Sequence, residues 1–368
     1  MKYPSIRFVV VVLTSLVFIS WGSQGHRKIS HDSSLSYNND MAPFLSWVSF
    51  LTDHASDADY RKSEDPNEGV RHYIDIDYYP EFRTNGRIAQ SWDSIVALHG
   101  IWNVTNTGIL PWATLSTYNS LKVAMQEGDW SHAMVLAADL GHYVADGHMP
   151  LHLTENYNGQ LTGNSGIHSR FESTMINANI NEIVYNGDSI GEIADVSGYI
   201  FNYIYDNYPY LDSILAADNY ARSVNSSTSS TAYKQALWQK SKKFTIKLFD
   251  DASHALAELI HAAWVEAGKP AMSIGISQQQ SNPALTCTVF PNPCNQLLSI
   301  SYEHPSDAPV TVTMTDLSGN IVRTMVDESS PEGEQQVTFQ THGLSSGIYF
   351  IHVNSGKNVA IQKVVKTD

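Results

Sequence analysis

Apolar side chains recur at three- and four-residue steps along residues 123–146 (VAMQEGDWSHAMVLAADLGHYVAD). That repeat lines one face of an α-helix. Ala, Leu, Ile and Phe carry it again from Ala236 to Val265. Two-residue alternation is scarce over 21–272, so this stretch is expected to form a mainly helical domain. Tyr157 to Gly166 (YNGQLTGNSG) is rich in Gly and Asn and reads as a loop between helices. The pattern then changes. Residues 273–285 (SIGISQQQSNPAL) have the Ser, Gln and Pro content of a linker. Short alternating runs follow at Leu297–Tyr302, Val310–Thr315, Gln336–Phe339 and Ile348–Val353, separated by turn residues such as Ser318-Gly319-Asn320 and Ser345-Ser346-Gly347. They predict a small antiparallel β-sandwich over 286–368. The fold class is mainly α: an all-helical domain followed by a small β-sandwich domain.

The N-terminus reads as an export signal over 1–20. Lys2 and Arg7 precede an apolar run from Phe8 to Ile19 that only Thr14 and Ser15 interrupt. The run is short for a bilayer span but suits a signal-peptide core. Ser20 is small enough for the cleaved position, whereas Phe18 departs from the usual small residue. No other segment is apolar for long enough to cross a membrane.

Charge narrows the chemistry. Asp and Glu number 37 against 22 Lys and Arg, a formal net charge of -15. A protein that follows a nucleic-acid backbone by charge alone is usually basic. Any anionic substrate of this chain must therefore be attracted locally, as bound divalent cations would do. The two cysteines, Cys287 and Cys294, stand apart from the candidate metal ligands. After export they form either a local disulfide or two free thiols.

The β-region carries Phe290-Pro291-Asn292-Pro293, Asp316-Leu317-Ser318-Gly319 and Leu344-Ser345-Ser346-Gly347-Ile348-Tyr349, with Lys363 and Lys366 near its end. With these motifs it resembles the C-terminal sorting domain of bacterial type IX secretion. The resemblance implies export through the periplasm and across the outer membrane by that machinery, to a secreted or cell-surface destination.

The strongest chemical signal is His142-Tyr-Val-Ala-Asp146-Gly-His148-Met-Pro150-Leu-His152. His142 and Asp146 are one helical turn apart and share a face. Pro150 is placed to end that helix. A second pair with the same spacing is His168 and Glu172. Imidazole and carboxylate at this spacing are suitable zinc donors. Upstream lie Asp57 and Asp59, then Arg71-His72-Tyr73-Ile74-Asp75, and nearest the export signal Trp21-Gly22-Ser23-Gln24-Gly25-His26.

With these motifs in this order, residues 21–271 resemble the superfamily that joins single-strand-specific zinc nucleases of the S-one/P-one type with bacterial zinc phospholipases C. The resemblance implies three zinc ions in a cleft of a helical domain. The first would be held by Asp59, His72, His142 and Asp146, with Asp57 a rival for Asp59. The second would be held by His152, His168 and Glu172. The third would take the free amino group and carbonyl of Trp21, with His26 and the bridging carboxylate of Asp146. His148 matches a position that is usually not a ligand.

The implied activity is metal-assisted hydrolysis of a phosphodiester, with Asp59 and Lys62 in the catalytic step and Arg61 an alternative to Lys62. Tyr73 and Asp75 resemble positions that stack on and hydrogen-bond a base, which favours single-stranded nucleic acid or nucleotides as substrate. Glu172, where the nucleases typically have Asp, resembles the phospholipase branch, so phospholipid is the alternative. A non-catalytic zinc-binding surface protein is a third reading.

Overall fold

Gly128 splits the first long helical pattern. The sequence predicts one helix over 123–146, but the computed structural model has two, Leu110–Glu127 and Trp130–Gly147. Gly128 closes the first with a left-handed backbone, φ 73°, which glycine adopts without steric cost. The side chain of Asp129 then accepts a hydrogen bond from the His132 N–H and starts the second. Pro150 follows where expected. The helix ends at Gly147, and Pro150–His152 forms a separate single turn.

The structure describes residues 22–272, 286–304, 309–315, 321–329, 333–355 and 358–367. The expected signal segment 1–20, Trp21 and the expected linker 273–285 lie outside them. The chain divides into two compact units, Met1–Ile274 and Gly275–Asp368. Among the described residues, no helix is long and apolar enough to cross a membrane.

The first unit is helical. Its longest helix, Thr231–Glu266, begins where the Ser230 hydroxyl accepts from the Tyr233 N–H. Its first half buries Tyr233, Leu237 and Trp238 in one apolar cluster with Ile29, Phe171, Met175 and Ile214. Its second half buries Leu256, Leu259 and Ile260 in another, with Leu121, Leu140, Tyr143 and Phe201. Each large apolar side chain so buried contributes roughly 1.5–3 kcal/mol. Gly141 sits at the seam. A Cβ there would stand 3.0 Å from Leu256 and 3.2 Å from Ser30. The missing side chain therefore lets the Trp130–Gly147 helix approach both Thr231–Glu266 and Gly22–Asp32.

The second unit is a β-sandwich. Strands β1 (Thr286–Phe290), β2 (Leu297–His304) and β5 (Gly333–Gln340) form one sheet in the order β1-β2-β5. Strands β3 (Pro309–Thr315), β4 (Ile321–Ser329), β6 (Gly347–Ser355) and β7 (Asn358–Lys366) form the other in the order β4-β3-β6-β7. Among the described residues these strands pair antiparallel. Alternate residues Leu298, Ile300 and Tyr302 of β2, Val310, Val312 and Met314 of β3, and Tyr349, Ile351 and Val353 of β6 fill the core. Cys287 and Cys294 are buried there as free thiols, and burial pushes the Cys287 thiol up to about 11.

Candidate metal centre

The lower half of the Trp130–Gly147 helix is buried on every side from Leu140 onward. His142 and Asp146 project from it at 1% and 0% exposure. Two other segments are tied together beside it. The Ile74 N–H donates to the His152 carbonyl at 2.9 Å, and the Ile76 N–H donates to the Leu153 carbonyl at 3.3 Å. His152 returns the link, its Nδ1 donating to the His72 carbonyl at 2.8 Å. Residues 72 and 152 are thus held against the helix from one side. The short helix Asp57–Arg61 brings Asp59, and Gly22–Asp32 brings His26.

Four donor atoms converge. His72 Nδ1 lies 3.0 Å from Asp146 Oδ2 and 2.9 Å from His142 Nε2. His142 Nε2 lies 3.3 Å from Asp146 Oδ2. Asp59 Oδ1 stands 3.6 Å from each histidine nitrogen. Zinc–ligand bonds of about 2.0–2.1 Å in a tetrahedron separate neighbouring donors by roughly 3.3–3.4 Å. The observed spacings bracket that value. His142 Nδ1 donates to the Ala55 carbonyl at 2.8 Å, which turns Nε2 towards the group.

A second group forms from His152, His168 and Glu172. Glu172 Oε2 lies 3.6 Å from His152 Nε2 and 2.6 Å from His168 Nε2. Both rings donate from Nδ1 to backbone carbonyls, His152 to His72 and His168 to Tyr157 at 3.0 Å. Their Nε2 atoms are again turned inward. The sequence places His168 and Glu172 on one helical face. The structure keeps them on one face, but the α-turn Ile167–Ser169 passes into a π-helix at Arg170–Met175. Such local widening is frequent at functional sites.

Asp146 connects the groups. Its Oδ2 joins the first, while Oδ1 lies 3.2 Å from His152 Nδ1 and 3.7 Å from His26 Nε2. The His26 ring stacks on His142, centroids 4.0 Å apart and planes 6° from parallel. His26, His142 and Asp146 therefore form a third donor group. Trp21, the remaining expected ligand there, lies outside the described residues.

So many buried ionisable groups are costly unless paired or coordinated. Burial pulls His142 down, yet Asp146 and Asp59 outweigh it and push the ring up to about 9. Burial opposes ionisation of Asp146, but His142 and His152 hold it well below the usual carboxylate range. Glu172 is lowered against its burial by His168 and His152. Burial lowers His26, and the neighbouring His142 lowers it further. Some polar capacity stays unused. Asp146 Oδ1 and Glu172 Oε1 are buried without a hydrogen-bond partner. Two carboxylate oxygens left in this state, inside a nest of inward-facing nitrogens, fit a bound cation.

The other expected residues fall as follows. Asp59 faces the group, whereas Asp57 turns away and takes the His54 Nδ1 at 2.7 Å. Lys62 Nζ lies 2.6 Å from Asp59 Oδ1. Arg61 points elsewhere, to Asp139 at 2.9 Å. His148 donates to the Val144 carbonyl at 2.7 Å and stacks on Tyr203, and burial lowers it to about 4. The Tyr73 hydroxyl donates to the Asn106 carbonyl at 3.1 Å. Asp75 lies beside Asp77 and Glu155, and burial together with their charges raises its carboxyl to about 7.

Sequence reasoning missed Glu68. It is buried, four residues before His72, with Oε1 3.3 Å from His72 Nε2. The i, i+4 spacing was the available signal.

Residues 288–367 match the family model described as a secretion system C-terminal sorting domain. The match marks the chain as secreted or displayed at the cell surface. No curated protein matches the chain. Among solved structures it is similar to Clostridium perfringens alpha-toxin from avian strain SWCP. That pair has 11% identity and a TM-score of 0.43, and the alignment covers 94% of this chain and 91% of the toxin. Alpha toxin from Clostridium absonum is similar at 10% identity and a TM-score of 0.40, covering 96% of this chain and 95% of that one.

Proposed function

We propose that the helical unit is a secreted trinuclear-zinc phosphodiesterase that cleaves single-stranded nucleic acid or nucleotides. One observation carries the reading: Asp59, His72 and His142, far apart in sequence, form one donor group, and Asp146 Oδ2 lies 3.0 and 3.3 Å from its two histidine nitrogens. His152, His168 and Glu172 would hold a second zinc, and Trp21, His26 and Asp146 a third.

Zinc in such sites polarises a phosphoryl oxygen and lowers the pKa of bound water to about 7. The chain's own residues supply the rest. The carbonyls of Ala55, His72 and Tyr157 fix which nitrogen each histidine presents. Asp146 ties the groups together through its two oxygens. Lys62, beside Asp59, adds a positive charge at the edge of the first group, where a phosphate would approach. Three zinc ions would bring six positive charges against Asp59, Asp146 and Glu172, so an anion is attracted locally although the chain is acidic. Tyr73 and Asp75 would take the base.

Glu172 favours a second reading, a phospholipase C acting on phospholipid head groups, because its longer side chain is the one that branch resembles. A substrate panel of single-stranded DNA, RNA, 3'-nucleotides and phosphatidylcholine, with and without chelator, separates the two. Chelator-sensitive hydrolysis of nucleic acid supports the first reading, and cleavage of phosphatidylcholine alone supports the second. Hydrolysis of none leaves a zinc-binding surface protein. Export through the periplasm by the type IX machinery belongs to the same proposal and follows from the sorting domain.

A further inference from the structure

Glu68 is 2% exposed, and four groups surround its carboxylate. Oε1 lies 3.3 Å from His72 Nε2 and accepts a short hydrogen bond from the Tyr143 hydroxyl. Oε2 lies 3.5 Å from Arg61 Nε and 4.0 Å from Arg71 Nη1. Arg61 is itself fixed, with two nitrogens each 2.9 Å from an Asp139 oxygen. The Tyr143 ring sets its edge against His72, centroids 5.6 Å apart at 75°. Arg71 covers the other side of that ring, 5.1 Å from its centroid.

The arrangement bears on one atom. A neutral imidazole carries its proton on one nitrogen and offers a lone pair from the other. His72 turns Nδ1 towards Asp59, His142 and Asp146, and turns Nε2 towards Glu68. With a cation at Nδ1 the ring keeps its proton on Nε2, and the Glu68 carboxylate stands 3.3 Å from that atom. The rings of His142, His152 and His168 are oriented by neutral carbonyls. His72 alone among these four has a charged residue in that role.

We propose that Glu68 is a positioning residue for the metal centre. It holds His72 with Nδ1 directed into the first donor group, and Tyr143 and the Arg61–Asp139 pair hold Glu68 in place. The inference rests on the metal-centre reading above.

The test uses the secreted protein, cleaved before Trp21, and its variants E68Q, E68A, Y143F and H142A. Zinc affinity is measured by competition with a chromophoric chelator. The Nε2–H signal of His72 is followed by NMR in the zinc-loaded protein. E68Q and E68A should shift that signal and bind the affected zinc about 10–100-fold more weakly. Y143F should lose several-fold. If E68A does not fold, the isosteric E68Q carries the test. Zinc affinity and His72 Nε2–H shift in E68Q both equal to wild type overturn the proposal. Should H142A lose zinc while E68Q does not, the positioning role alone falls. If wild type takes up no zinc, or H142A keeps it all, the metal-centre reading falls and Glu68 with it.

Discussion

Nε2 of His142 lies 2.9 Å from Nδ1 of His72, across a sequence separation of 70 residues. The Ala55 carbonyl takes the other nitrogen of His142, and Asp146 Oδ2 closes the triangle from 3.0 and 3.3 Å. Two imidazole nitrogens directed at one point beside a carboxylate could hold a cation. His142→Ala should therefore lower hydrolysis by more than about 1000-fold, roughly 4 kcal/mol of transition-state stabilisation. Asp146→Ala should be worse, because its two oxygens face different groups. Turnover together with zinc content per chain checks both, and near-normal turnover in Asp146→Ala contradicts the bridge.

Gly108 supports Tyr73 from beneath. It has φ 85°, and a Cβ there would stand 2.2 Å from the Tyr73 carbonyl oxygen and 2.6 Å from its ring. Gly108→Ala meets both a strained backbone and a backbone clash, so it should cost about 2–4 kcal/mol of stability. Surviving folded protein should show a raised KM with less change in kcat, if Tyr73 contacts substrate. Thermal unfolding and steady-state kinetics measure the two effects.

Asp75 predicts a pH dependence. Its folded carboxyl is raised to about 7, with burial the main cause, while an unfolded aspartate titrates near 3.9. The folded state therefore retains a proton that the unfolded chain releases between those values. Stability contributed here is present at low pH and is lost as pH rises towards 7. Asp75→Asn should stabilise the metal-free protein at pH 8, by on the order of 1–2 kcal/mol after allowance for partial exposure. It should change nothing at pH 3.5. Equal effects at both pH values would show that Asp75 is not a raised acid.

The expected third zinc needs the amino group of Trp21. The secreted protein should have an intact mass that begins at Trp21, and a chain extended at that end should be poorly active. A full-activity extended form contradicts the terminal ligand.

Much of the candidate site was legible because its chemistry is local. His142 with Asp146, and His168 with Glu172, announce themselves by a four-residue step. Asp59 and Asp57 could not be separated, since both sit in one short turn and only the tertiary position of His72 distinguishes them. Glu68 stands at the same four-residue step from His72 and went unread, while its other neighbours Tyr143 and Arg61 come from other segments. The π-helix at Arg170–Met175 has no periodic signature over so few residues. In the sandwich, the expected runs lie within β2, β3, β5 and β6, whereas β1, β4 and β7 were missed. Edge position does not separate them, since the recognised β5 is an edge strand as well. β4 (IVRTMVDES) and β7 (NVAIQKVVK) instead run their apolar residues together, which breaks the two-residue alternation.

The central claim is that buried nitrogen and oxygen donors cage zinc. Diffraction from zinc-loaded crystals at the zinc absorption edge tests it most directly. The account predicts anomalous peaks within bonding distance of His72 and His142, and of His168 and Glu172. A map with no peak at either place would contradict it.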